Sequence, residues 1–420
     1  MTEHLPYHLN GGLDLDRPLL RNLQPQMIQH RGKPAILLRD PLRLTSRAVA
    51  LPAQLALLLG LCDGSRDPAG IRAALAIRAG VRVSQSSIES ILREMDEALL
   101  FDNERFAAAW AVAEQEYRQA PFRTPGLAGE SYPSDPDELR GFLRGYVEGL
   151  DPTATPVASP EATRGLISPH IDYQRGGAVY ARVWSAAEQA LTSAELIVVL
   201  GTDHLGGGLI TLTRQHYATP WGTLPTALDV VDATAEAIGP EVAYRDEIHH
   251  RTEHSIELAM VWLHYVLGDR SPPAVIPILC GSFDPLMEAE NDPASDETIG
   301  EAVRVLQGVM AGRKSIVVAA ADLAHVGPAF GDRYPMDFAR RARVKGADEI
   351  MLQLIRDGDA EGFFQQLRDE RDARKVCGLP PIYMMLRLLG DGRGTLLDYT
   401  LCPADNQNTS FVSICGMLLS

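Results

Sequence analysis

Residues Leu166 to Gly208 read LISPHIDYQRGGAVYARVWSAAEQALTSAELIVVLGTDHLGGG, and one pattern occurs in them twice: an apolar strand that ends on a histidine. The first run, Gly165-Leu-Ile-Ser-Pro-His170, leads into Ile-Asp-Tyr173 and the pair Gly176-Gly177. The second, Leu196-Ile-Val-Val-Leu200, continues as Gly201-Thr-Asp-His204 and then Gly206 to Gly208. Between them Val179, Val183, Ala186, Ala187 and Ala190 fall at helical spacing, which predicts a helix over Val179 to Leu191. Parallel strands joined by a helix place both strand ends on one edge of a sheet. Ligands of open α/β sheets bind beyond the carboxyl ends of the strands. His170 and His204 are therefore expected side by side, on neighbouring strands, and two imidazoles in that position point to a metal.

The alternation continues downstream. Strand patterns fall at Val275–Cys280, Ser315–Asp322, Thr395–Thr400 and Phe411–Cys415, with helical patterns at Thr234–Ile238, Ser255–Leu267, Thr298–Met310, Phe338–Arg356 and Pro380–Leu389. This order predicts an α/β domain over 165–420, built on a mostly parallel sheet with helices on both faces. Residues 111–164 form a linker and leading helix: Asp135-Pro136 starts a helix that runs to about Leu150, and Asp151 to Pro160 reads as a loop.

Residues 1–110 read as a separate, small α+β domain. Ile36–Leu38 and Leu42–Leu44 are expected as strands. Helices are expected at Leu51–Leu61, Pro68–Ala79 and Ser84–Leu100, and a small wing at Leu99–Asn103. The pattern resembles a winged-helix domain, in particular the small PqqD-like peptide-binding relatives found beside radical SAM enzymes. The segment is close to neutral, whereas phosphate binding needs a basic face, so peptide or protein docking is expected there rather than nucleic acid.

Whole-chain properties narrow the classes further. The 420 residues carry 45% hydrophobic and 22% charged side chains with a net charge of −16, which fits a globular protein and argues against a chain-wide nucleic-acid surface. No basic segment followed by an apolar one opens the chain, so no signal peptide is expected. The longest apolar run, Leu51 to Cys62, falls short of the roughly 18 to 20 residues that span a bilayer. Cys62, Cys280, Cys377, Cys402 and Cys415 are odd in number and without CxxC spacing, which argues against a disulfide framework. A cytoplasmic protein is the expectation.

Three further groups carry chemistry. Asp322-Leu-Ala-His325 closes an apolar strand, so both polar side chains belong on the binding edge. Cys377-Gly378 precedes a helix, whose positive end lowers a thiol pKa toward the thiolate that binds metal or reacts. Asp246 to Glu257 packs three histidines and four acids into twelve residues. Within it, His250-x-x-Glu253-His254 fits the H-x-x-E-H zinc-peptidase pattern, which needs one helix through both histidines.

Taken together, residues from about 124 to 418 resemble the Memo family, the AmmeMemoRadiSam system protein B of bacteria and archaea. Leu127-Ala-Gly-Glu-Ser-Tyr-Pro133 is similar to its "AGsfYP" block and Ser168-Pro-His-Ile-Asp-Tyr173 to its "PHaGY" block. Leu200-Gly-Thr-Asp-His204, Thr219-Pro-Trp-Gly222, Glu253-His-Ser-Ile-Glu257, Ala321-Asp-Leu-Ala-His325 and Val376-Cys-Gly378 match "LGpsHh", "TPlG", "EHSiE", "SDlsH" and "iCG" in family order.

The resemblance implies a fold like the class III extradiol dioxygenases and a metal held by His170, His204 and Cys377. Asp322 and His325 would line the same pocket, with His254 beside it. Those dioxygenases bind iron(II) through two histidines and a carboxylate. A cysteine in place of the carboxylate favours softer metals, so iron is expected first, copper as the alternative and zinc less. Asp172 and Asp203, which depart from the family blocks, are expected to orient the imidazoles, with Tyr173 and Glu253 also around the pocket.

The function expected is a metal-dependent redox or dioxygenase-like enzyme acting on a small molecule, with His325, oriented by Asp322, as acid/base. The alternative is a non-catalytic metal-binding adaptor. Partners implied are a radical SAM enzyme and an AMMECR1-type protein; a membrane is not expected.

Overall fold

A computed structural model of the chain describes residues 16–23, 25–151, 162–289 and 291–420. The chain divides into two compact units, Met1–Glu116 and Tyr117–Ser420. The loop expected at 151–160 lies, from residue 152 on, outside the described residues.

The first unit opens with an antiparallel sheet of β1 (Gln26–His30), β2 (Lys33–Arg39) and β3 (Ala48–Pro52) in that order. Arg31 and Gly32 between β1 and β2 both adopt positive φ, the conformation of the tight turn whose twist matches a hairpin. Helices α1 (Leu57–Leu61), α2 (Pro68–Ala79) and α3 (Gln85–Glu97) follow. Asp67 and Ser84 cap the last two by accepting from Gly70 and Ser87 N–H. Leu38, Leu58, Ile71, Leu75, Leu92 and Met95 form the core.

Three expectations fail here. Leu42–Leu44 is a turn, because the Asp40 carboxylate takes the N–H groups of Leu42 and Leu44. The helix expected from Leu51 starts later, because Leu51 and Pro52 end β3. The wing is a single bridge of Phe101 to Leu20, and Asn103 instead caps α4 (Glu104–Gln119) by accepting from Phe106 N–H.

The second unit is an α/β layer built on one large mixed sheet. After α5 (Pro136–Glu148) come β4 (Gly165–Ser168), α6 (Tyr173–Ser193), β5 (Leu196–Thr202) and β6 (Ile210–Leu212). A separate ribbon of β7 (Tyr217–Thr219) and β8 (Gly222–Leu224) precedes α7 (Leu228–Ile238), α8 (Pro240–Ala243) and α9 (His254–Leu267). Then follow β9 (Ala274–Cys280), α10 (Asp284–Glu288), α11 (Glu297–Met310), β10 (Ser315–Ala320) and β11 (His325–Val326). The chain ends with α12 (Phe338–Arg356), α13 (Ala360–Asp369), α14 (Leu379–Leu389), β12 (Gly394–Pro403) and β13 (Phe411–Leu419).

The strand order is β11-β13-β4-β10-β5-β9-β6, with β12 on β13. The inner strands β4, β10, β5 and β9 are parallel, and the flanking strands pair antiparallel. Period-two alternation explains the layers. Leu196, Val198 and Leu200 of β5 enter the core under α7, α11, α13 and α14, while Ile197 and Val199 face the core under α5, α6 and α9. Both faces are buried, so these strands read as unbroken apolar runs. Pro277 in β9 lies just past the reach of β6, which pairs only with Ile278 to Cys280, so the strand is an edge there.

One expectation about the site is corrected by this order. β4 and β5 are not neighbours: β10, far later in sequence, lies between them. His170 and His204 nevertheless meet, because β10 stops at Ala320 and both rings reach over its end.

Candidate metal centre

Three strand ends and the start of one helix build the site. His170 follows β4, His204 follows β5, Asp322 follows β10, and His254 is the first residue of α9. Gly201 permits the last of these, since a Cβ there would lie 2.5 Å from Ile256 Cγ1 and Ser255 Oγ. Removing it lets the start of α9 come down on β5, where the Ser255 hydroxyl donates to the Thr202 carbonyl (2.9 Å). Gly378 plays the same part for the cysteine: a Cβ would lie 2.4 Å from the Asp322 carbonyl, to which Gly378 N–H donates. Thr202 Oγ1 donates to the Cys377 carbonyl (2.9 Å), fixing the thiol segment to the end of β5.

The rings converge. His170 and His204 have centroids 4.9 Å apart, and His204 stacks on His254 at 4.7 Å. One nitrogen from each of the three lies within 4.8 Å of the others. Cys377 Sγ is 3.3 Å from His170 Nε2. What orients each ring is as informative as the approach. His170 Nδ1 is 2.9 Å from the Ala320 carbonyl and so carries the proton, leaving Nε2 as the free donor of electrons. His204 Nδ1 and His254 Nδ1 are each 3.0 Å from the same oxygen, Glu253 Oε1. The Glu253 carboxylate also accepts from the backbone N–H groups of His204, His254 and Ser255, capping α9. One buried acid thus sets two imidazoles, each with Nδ1 turned away and Nε2 available.

Electrostatics follow from this burial. Burial drives His170 well below the ordinary histidine value, reinforced by His204 and His254. Burial would also lower His204, but the Glu253 carboxylate and the Cys377 sulfur outweigh it and hold the ring well above that value. Burial would raise Glu253, yet His204 and His254 hold it well below the carboxylate range. The Cys377 thiol is pushed up by burial, with His204 working against the shift. The lowering expected from the start of α14 is therefore outweighed by burial.

The remaining expected residues divide. Asp322 accepts from His170 N–H (2.8 Å) and Ile171 N–H (3.2 Å), so it shapes the His170 turn rather than holding the His325 ring. Burial raises Asp322, opposed first by His325. His325 Nδ1 points to the Leu323 and Lys375 carbonyls (3.1 and 3.2 Å), and burial lowers its pKa to about 4.

Asp172 and Asp203 orient neither candidate ligand. Asp172 caps α6 and pairs with Arg175, while Asp203 Oδ2 sits 2.8 Å from His249 Nδ1. Asp172 is drawn off by capping α6 through Arg175 N–H, and Asp203 by its contact with His249. Tyr173 is core: its hydroxyl donates to the Leu258 carbonyl and its ring packs on Tyr132 and Trp262.

His250 belongs to no metal site. Its Nδ1 accepts from the Tyr217 hydroxyl (2.6 Å) and its Nε2 faces the Thr211 carbonyl (3.1 Å). A short 3-10 turn over Glu247–Arg251 ends before α9 begins, so no single helix carries His250 and His254, as the peptidase pattern requires.

Sequence reading missed Arg123. Its buried guanidinium pairs with Glu257 and donates to the His250 and Glu253 carbonyls (2.8 and 3.0 Å). Glu257 also takes the Tyr132 hydroxyl and the N–H groups of Gly126 and Leu127. The segment 123–132 is thereby clamped behind the His254 helix. The lone signal was a charged residue ahead of a turn-rich run.

An α/β sheet with three imidazoles and a thiol gathered over its strand ends defines the class. Residues 123–418 match a family model described as Memo-like protein, and the chain belongs to that family. A MEMO1 family protein of Aquifex aeolicus is 25% identical over 387 residues, covering 90% of this chain and 94% of its own. One from Methanosarcina mazei is 28% identical over 283 residues, covering 66% of this chain and 91% of its own. A third, from Thermus thermophilus, is 28% identical over 328 residues, covering 77% and 90%. The Aquifex match reaches into the first unit, which the residues from 117 on alone could not supply. Among the described residues no helix is long and apolar enough to cross a membrane.

Proposed function

We propose that this Memo-family protein is a mononuclear metal enzyme with redox chemistry, iron first and copper second, acting on a small molecule at the strand-end pocket. The observation that carries the reading is the paired orientation of His204 and His254 by Glu253. A cluster of surface histidines has no need of a buried carboxylate that fixes two tautomers at once. The donor set fits a transition metal: imidazole suits iron, copper and zinc, and a thiolate selects the softer of them.

His170, His204 and Cys377 would hold the ion, with His254 beside them as a fourth donor within reach. When bound, such an ion supplies a one-electron redox couple and a Lewis-acidic position for substrate. The chain's own part is orientation and proton handling. Ala320 and Glu253 keep the imidazole lone pairs inward. Binding an ion there would displace the protons on the Cys377 thiol and the His204 ring, so affinity would fall with acidity. His325, neutral at pH 7 with its Nδ1 proton held by two carbonyls, offers Nε2 as a proton acceptor beside the pocket.

Oxygen uptake by iron-loaded protein over a panel of small reductants and phenols tests the reading. Turnover that is lost in Cys377→Ala and falls about 10²-fold in His325→Ala supports an enzyme. Function in cells that survives His325→Ala but not the ligand substitutions would transfer the weight to the non-catalytic adaptor, working beside a radical SAM enzyme or an AMMECR1-type protein, with peptide docking on the first unit.

A further inference from the structure

Cys377 and His325 both depend on one segment, residues 370–377, whose backbone is unusual. Arg371, Asp372 and Lys375 all adopt positive φ (52°, 43° and 53°), a region that side-chain-bearing residues avoid. Such a segment persists only if its surroundings over-determine it. The surroundings here centre on Asp348, which lies on the core-facing side of α12 among Val344, Met351 and Leu352 and is fully buried. A carboxylate in that setting is costly unless its oxygens are fully engaged. They are: the Arg374 guanidinium pairs with Oδ1 and the Tyr399 hydroxyl donates to Oδ2 (2.8 Å). Arg374 is itself buried, and its Nε donates to Glu370 Oε2 at 2.7 Å.

From this anchor the route to the pocket is short. The Arg374 carbonyl accepts His325 N–H (2.7 Å), and the next carbonyl, Lys375, faces His325 Nδ1 (3.2 Å). Two residues further on stands Cys377. The carboxylate, through Arg374, therefore holds the segment that carries Cys377 and receives the His325 N–H.

We propose that Asp348, acting through Arg374, is the positioning residue that sets Cys377 and His325 against His170. Resting on the metal reading given above, it adds a device remote from the pocket: a core carboxylate on α12 that holds a strained loop in the one conformation that brings the thiol to 3.3 Å from His170 Nε2.

The test uses the full-length protein, first metal-free. Alkylation of Cys377 by iodoacetamide is followed by peptide mapping, since Cys62, Cys280, Cys402 and Cys415 are buried. Arg374→Met is expected to speed Cys377 alkylation by about tenfold or more, and Arg374→Lys by less, because the loop opens more readily. Tyr399→Phe takes one donor from the same carboxylate but leaves the Arg374 pair. It is expected to stay within about twofold of wild type even where its Tm falls as far.

With cobalt(II) as the probe, Arg374→Met should still bind the ion but lose the sulfur-to-cobalt absorption. Should Arg374→Met not fold, Arg374→Lys carries the comparison. Wild-type alkylation rates in a folded Arg374 variant would overturn the proposal, as would equal acceleration in Tyr399→Phe at equal Tm. A thiol freed in Arg374→Met, with no sulfur-to-cobalt absorption in wild type, would leave the positioning role standing and count against the metal reading alone.

Discussion

Glu253→Gln is the sharpest single perturbation, because one side chain serves two rings. The carboxylate accepts from His204 N–H and Nδ1, from His254 N–H and Nδ1, and from Ser255 N–H. Glutamine keeps one acceptor oxygen and replaces the other with an NH2 donor. With the amide oxygen in the Oε1 place both rings keep an acceptor and His204 N–H is left facing the NH2; with it in the Oε2 place the Nδ1 proton of His254 faces a donor instead. In that second placement the His254 ring turns or changes tautomer, which puts the proton on the nitrogen aimed at the other histidines. Misorienting one ligand through its outer partner typically costs 10- to 100-fold in metal affinity, about 1.4–2.7 kcal/mol. Leaving buried N–H groups unpaired adds a folding cost of about 1–3 kcal/mol.

Competition of cobalt(II) or iron(II) with a chromophoric chelator, under anaerobic conditions, reads the affinity, and a urea midpoint reads the stability. Asp203→Asn is the control, because Asp203 holds His249 and not His204. It is expected to leave the affinity within about threefold of wild type, because the Asp203 oxygens bond His249 Nδ1 and Leu205 N–H. An unchanged affinity in Glu253→Gln, or an equal loss in Asp203→Asn, would refute the orientation argument.

Gly201→Ala places a methyl 2.5 Å from Ile256 and Ser255, so it should cost about 1–3 kcal/mol in a urea melt and weaken metal binding by moving the start of α9. Glu257→Gln breaks the buried pair with Arg123; removing one partner of such a pair costs about 3–5 kcal/mol, read as a lowered urea midpoint. Metal-free protein should lose stability as pH falls below about 6.5. His250 is held at about 3 and His325 at about 4 by burial, so the unfolded chain binds more protons in that window. The slope is about 1.4 kcal/mol per pH unit for each ring, levelling off near each folded value. His250→Gln should remove one such share from the pH dependence of the urea midpoint.

Much of this architecture was legible in the chain. The apolar runs ending at His170, His204 and Asp322 marked the inner strands, because strands buried on both faces read as continuous apolar sequence. The helix spacing held for Glu297–Met310 and Phe338–Arg356 within a residue. The insertion of β10 between β4 and β5 was not legible, since strand order depends on crossovers that no local pattern records. Nor were the antiparallel flanks: β13 reads like the parallel strands because it too is buried throughout.

The site was read through sequence adjacency, and that is where it misled. Asp172 and Asp203 neighbour the histidines in sequence but face away from them. Glu253, whose hold on two imidazoles carries the functional reading, acts on a residue 49 positions away, and that contact exists because Gly201 lets α9 settle on β5.

Metal content after anaerobic purification, on wild type and on His170→Ala, His204→Ala and Cys377→Ala, is the measurement to make first. The expected result is about one iron or copper per chain in wild type, falling by at least about tenfold in each of the three variants. Wild-type protein that takes up no metal, or that holds it regardless of all three substitutions, would contradict the assignment of this pocket as a metal centre.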